Sequence, residues 1–132
     1  MPYKYAFYTT GAVIVIQILA LATNLYGRFP NFDIPMHLSG GFAMGMLGLA
    51  IHHQMASPSH NRLHHLHHLL FVVGFTMLIA VAWEFHEYFI DETIGKWNNW
   101  PKMQLSISDT MGDLFNGLVG SIIAFGIFRK KV

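Results

Sequence analysis

From Tyr5 to Gly27 the chain contains no aspartate, glutamate, lysine or arginine. That run is long enough to cross a bilayer, whose hydrocarbon takes ~20 apolar residues per helical span. Similar charge-free runs separate Arg62 from Glu84 and Asp113 from Arg129. A fourth stretch, from Asp33 to Arg62, is less apolar but carries only histidines between its ends. Backbone inside hydrocarbon must satisfy its own hydrogen bonds, so segments of this kind fold as helices. The pattern predicts an all-α, polytopic membrane protein with four transmembrane helices, near residues 6–26, 34–55, 69–90 and 109–128. The expected organisation is a single four-helix transmembrane domain over residues 1–132. The motif Ala20-Leu21-Ala22 also suits signal-peptide cleavage, but the length of the apolar run favours a retained span.

Charge supports the same class. Only 11% of the residues are charged, against about 25% in soluble domains. The net charge of +1 and the lack of a basic stripe exclude nucleic acid as a partner and leave the lipid bilayer as the expected one. With no cysteine there are no disulfides, zinc–thiolate sites or cysteine nucleophiles.

Four spans place both termini on one side. That side holds Lys4, Arg62, Arg129, Lys130 and Lys131, and the other holds Arg28, Lys96 and Lys102. The excess of basic residues favours cytoplasmic termini, in a plasma (inner) membrane. All seven acids, Asp33, Glu84, Glu87, Asp91, Glu92, Asp109 and Asp113, fall on the side away from the termini.

Spacing brings several of them together. Side chains at i, i+3, i+4 and i+7 share a helix face. Asp33, His37 and Gly41 line up on the second predicted helix. Glu84, Glu87, Tyr88 and Asp91 do so on the third, and Asp109, Asp113, Asn116 and Gly120 on the fourth. His86 points elsewhere. At ~1.5 Å per residue, Glu84 lies about 9 Å below the edge of its span, and His37, Asp113 and Asn116 lie at comparable depths.

Carboxylates are costly in hydrocarbon, so this face must look toward water, a cation or partner residues. Crowded carboxylates must share protons or a cation. Acids with one imidazole and no thiolate suit zinc, manganese, iron or magnesium, and helical bundles hold such ions between facing helices. The candidate metal ligands are Asp33, His37, Glu84, Glu87, Asp109, Asp113 and Asn116. The candidate catalytic groups are Glu84, Glu87, His37 and Asp113, which would suit a metal-dependent membrane enzyme such as a hydrolase. Two other readings stay open. The acids could staple helices in a purely structural network, helped by close contact at Gly41-x-x-x-Gly45, or they could belong to a proton or cation pathway.

The stretch from His52 to His68 holds seven of the nine histidines. Its His60-x-x-x-His64 and His64-x-x-His67-His68 spacings mimic the histidine boxes of membrane desaturases, although they crowd into one short segment. It reads as a solvated loop that charges below pH ~6.5; His64, His67 and His68 would bind zinc, copper or nickel if helical. The opposite loop, residues 91–108, carries Trp97, Trp100 and Pro101 and reads as an interfacial lid over the acids, with Ser106 or Ser108 capping the last helix.

Three blocks carry a resemblance: "FDIPMHLSGGFAMG" (32–45), "WEFHEYFIDE" (83–92) and "SDTMGDLFNGLVGSIIAF" (108–125). In order and membrane placement they resemble the small VanZ-like and YjdF-like integral membrane proteins. Their shared features fall here on Asp33 and His37, Glu84 and Glu87, then Asp109, Asp113, Asn116 and Gly120. The founding member is associated with low-level resistance to teicoplanin, so the resemblance implies a role at the cell envelope, with a lipid-linked or other envelope component as substrate. The chain departs from the founder in having Asp-Ile-Pro-Met-His where the founder has an Asp-Lys pair.

Overall fold

A computed structural model describes residues 2–55 and 62–129. His60, Lys130 and Lys131, used above, lie outside the described residues. The long helices are α1 (Pro2–Ala22), α3 (Asp33–Met55), α4 (Arg62–Ile90) and α6 (Ile107–Phe128). Short pieces connect them: α2 (Leu25–Arg28) and a 3₁₀ turn (Pro30–Phe32) before α3, then a π-helical turn (Asp91–Gly95) and α5 (Lys96–Asn98) after α4. Four helices, spanning Tyr3–Ala22, Asp33–Met55, Leu63–Asn98 and Ile107–Phe128, are long and apolar enough to cross a membrane.

Two boundaries differ from the sequence reading. The first helix covers Pro2–Ala22 rather than 6–26, because Asn24 takes the left-handed conformation (φ 53°) and turns the chain. Asparagine tolerates that region better than most residues. The third long helix begins at Arg62 rather than near residue 69, so the histidines there are helical. With its π and α5 extension it spans Leu63–Asn98, roughly 54 Å at the α-helical rise. Hydrocarbon is ~30 Å thick, so this rod is longer than the layer it would cross.

The burial pattern is inverted relative to a water-soluble bundle. Phe7, Leu78, Phe85 and Phe115 are more than 60% exposed, whereas Glu84, Glu87, Asp91 and Asp113 are under 9%. Lipid is the solvent that makes this distribution favourable.

The centre of the bundle is α3, which packs on α1, α4 and α6. Its closest partner is α6, and glycine makes the approach work. A Cβ on Gly41 would sit 2.1 Å from the Gly117 carbonyl oxygen, and one on Gly120 would sit 2.2 Å from that of Leu38. Without hydrophobic drive between helices in lipid, such backbone-to-backbone packing is what holds them. Below this crossing, Ala6, Met46 and Ala124 form one apolar cluster and Leu49, Val72 and Phe125 another.

Candidate functional site

The site stands where α3 begins, α4 ends and α6 begins. His37 is its centre, on the second turn of α3. Its Nε2 lies 3.2 Å from Asp33 Oδ1 and 3.8 Å from Asp113 Oδ1, and its Nδ1 lies 3.9 Å from Glu84 Oε1. Two triads have potential ligand atoms all within 4.8 Å of one another: Asp33, His37 and Asp113, and His37, Glu84 and Glu87. Both pass through His37, so one imidazole ties three helices together.

Each acid has a distinct setting. Glu87 accepts a 2.8 Å hydrogen bond from Trp83 Nε1, one turn earlier on α4. Glu84 Oε2 accepts from Gln104 Nε2 at 2.9 Å. Glu84 Oε1 is buried with no hydrogen-bond partner. An orphaned carboxylate oxygen is costly in a low-dielectric interior, and this one faces the histidine at the centre of the cluster.

Gln104 was not legible as a site residue. It comes from the segment between α5 and α6, and a second acid fastens that segment. Asp91 accepts from the backbone N–H of Met103 (3.0 Å) and of Gln104 (2.9 Å). Asp91 is therefore a strap anchor, and Gln104 is the residue of this loop that touches an acid of the cluster. Trp97 and Trp100, expected to cover the site, are 89% and 56% exposed.

One expected residue stands apart. Asp109 is occupied at the start of α6: its N–H donates to Ser106 Oγ at 3.1 Å while its carboxylate accepts from the Leu105 N–H at 3.2 Å. This reciprocal arrangement is a helix cap, with Ser106 rather than Ser108 as the capping residue. Asn116 is half-buried on α6, one turn after Asp113. Tyr88 shares the sequence spacing of Glu84 but is 58% exposed, and His86 is also exposed, its ring 5.2 Å from that of Trp83.

A cavity of about 260 Å³ adjoins the cluster, lined mainly by α1, α3 and α4, with Asp33, His37 and Glu87 in its wall. Near that end, outside the spans, the Tyr26 hydroxyl donates to Gln17 Oε1. Burial, reinforced by the nearby Asp33 carboxylate, pushes the Tyr26 hydroxyl up to about 12, so it stays a neutral donor.

The histidine segment differs from the solvated loop expected of it. His52 closes α3, while His64, His67 and His68 open α4. His52 and His68 are buried and stacked, with ring centroids 4.0 Å apart, and His52 Nε2 lies 3.4 Å from His67 Nδ1. Packing against Phe71 and Phe125 buries these rings. Parallel rings cannot both aim a lone pair at one ion, and among the described residues no triad of potential ligands forms there.

A family described as "Predicted membrane protein (DUF2238)" matches residues 3–131. The chain belongs to that family. The match covers all four spans of this DUF2238 protein, and the family description supplies a membrane setting and no activity. It names neither VanZ-like nor YjdF-like proteins, which the three sequence blocks resemble. No curated protein and no solved structure matches the chain.

Proposed function

We propose that this protein holds one divalent cation among Asp33, His37, Glu84, Glu87 and Asp113, and through it recognises or acts on an anionic group of a cell-envelope component. The observation that carries this reading is the buried, unpartnered Glu84 Oε1, 3.9 Å from His37 Nδ1. One imidazole, even protonated, cannot balance four carboxylates. A divalent cation supplies the missing charge and a partner for the orphan oxygen.

The geometry needs little adjustment. Oxygen and nitrogen ligands sit ~2.0–2.2 Å from zinc, so two ligands of one ion lie at most about 4.4 Å apart. Each triad is already within 4.8 Å and needs to contract by only a few tenths of an ångström; because Asp33 and Asp113 face His37 Nε2 and Glu84 faces Nδ1, one ion takes one edge of the imidazole, with the acids of the other edge around it. The all-oxygen and imidazole set suits zinc, manganese, iron or magnesium. In this reading Glu84, Glu87, His37 and Asp113 are ligands or acid–base groups, and any reaction is a metal-assisted hydrolysis. Asp109 and Asn116 lie around the ligand set, with Asp109 serving mainly as the cap. The four helices act as one unit in the plasma (inner) membrane, with the termini cytoplasmic and the site on the outer side.

Calorimetric titration of detergent-purified protein with Mn²⁺ and with Zn²⁺ tests the site. The expected result is saturable binding of one ion per chain, weakened about 100-fold or more in Glu84→Gln/Asp113→Asn. Absence of saturable binding, or equal binding by that variant, would leave the acids as a helix-stapling network.

A further inference from the structure

The cavity beside the cation site has a shape that the ion alone does not explain. Its wall includes Asp33 and Glu87 at one end and Met44 and Thr76 at the other. Eleven residues separate the two ends on each of α3 and α4, so the slot is roughly 16 Å long. Apart from the acids and His37, its walls are mainly apolar, with Val13 from α1, Met36 and Ala43 from α3, and Ile79 and Ala80 from α4. With about 260 Å³ to fill, it lies just below the ~300–1,000 Å³ typical of small-molecule sites. A long slot of so small a volume is narrow, with room for one chain and not for two.

The floor is left open by a glycine. Gly40 lines the slot, and a Cβ there would meet no atom within 4 Å, in contrast to its neighbour Gly41. The side is open too, since α1 and α4 both pack on α3 but are not principal contacts of one another. A ligand therefore has a lateral route between α1 and α4 from the bilayer.

We propose that this slot holds the single hydrocarbon tail of an amphiphile whose anionic headgroup rests on the cation at His37, Glu87 and Asp33. The headgroup half rests on the cation reading; the tail half rests on the slot alone. Apolar walls accept a chain that arrives from lipid, and the acid-held cation at the outer end selects negative charge. The slot itself takes one chain, so the substrate class is a one-chain phosphate-like or carboxylate amphiphile.

Trp83 lines the slot and reports on it. Of the three tryptophans, Trp97 and Trp100 are replaced by phenylalanine so that Trp83 alone emits. The protein, purified without chelator into phosphatidylcholine nanodiscs, is titrated with dodecyl phosphate brominated in mid-chain. The expected result is saturable quenching, with affinity lowered about tenfold or more by Gly40→Leu and by EDTA. A Gly40→Leu protein with unchanged thermal unfolding shows that the loss is one of space rather than folding. Quenching lost in Gly40→Leu but indifferent to EDTA and to Glu84→Gln would keep the tail in the slot and overturn the cation as its headgroup partner. Quenching that is unsaturable, or identical in Gly40→Leu and the parent, would overturn the tail placement whatever the metal titration shows.

Discussion

Gly41→Ala is expected to cripple the protein, while Gly40→Ala beside it is expected to be tolerated. The added methyl at position 41 would stand 2.1 Å from the Gly117 oxygen and 2.6 Å from its Cα. Both are backbone atoms, so no rotamer change relieves the clash, and α3 and α6 must separate by more than 1 Å. Overpacking costs ~1–3 kcal/mol and occasionally more, and loss of close contact along the crossing adds to it. Gly120→Ala meets the Leu38 oxygen at 2.2 Å and the Phe42 nitrogen at 2.7 Å and is expected to behave alike. Gly112→Ala and Gly126→Ala serve as controls, since their methyls meet nothing within 4 Å; alanine there gains up to ~1 kcal/mol of helix propensity. Thermal unfolding in detergent reads the series. The two crossing variants should fall by roughly 10 °C or more or fail to accumulate, with the controls at or above the parent. Equal behaviour of all four would mean that α3 and α6 do not meet at these glycines.

His37→Ala is the second large effect, and its sign of dependence on metal separates two accounts. Without metal, its removal leaves Asp33, Glu84 and Asp113 facing one another across the space the imidazole held. Stripping one partner from a buried charged set costs ~3–5 kcal/mol. If a cation belongs among these acids, added Zn²⁺ or Mn²⁺ restores much of that stability, because a ligand at 100 times its dissociation constant adds about 2.7 kcal/mol. Unfolding of His37→Ala with EDTA and with metal should therefore differ strongly. If the acids only staple helices, the two curves will coincide.

Different parts of this architecture are written in the sequence to different degrees. The four spans are legible because hydrocarbon admits so few charges that runs such as Tyr5–Gly27 have no other use. The convergence of His37 with Glu84 and Asp113 is legible as well. It follows from two regularities, the 3.6-residue turn and a common depth counted from the helix ends. Glycine contact was foreseeable at Gly41-x-x-x-Gly45, but spacing alone could not separate Gly41, pressed on α6, from Gly40, which faces a cavity.

What was not legible depends on irregular backbone. Gln104 reaches Glu84 only because Asp91 captures two consecutive N–H groups of a loop, and no periodicity announces that. The tryptophans drew attention to the right loop and the wrong residues. Asp109 shared a face with Asp113 by count, yet the cap at Ser106 had the stronger claim on it. The histidines at residues 64–68 looked like a loop because they are polar; imidazole stacks well enough on imidazole and phenylalanine for α4 to begin at Arg62.

The most direct test of the central claim is the metal content of the protein as purified without chelator, by plasma mass spectrometry. It would be read beside Glu84→Gln/Asp113→Asn and a variant with His64, His65, His67 and His68 all replaced by alanine. The account predicts close to one equivalent of a divalent metal in the parent, retained in the histidine variant and lost in the acid variant. No metal in any sample, or metal lost only with the histidines, would contradict it.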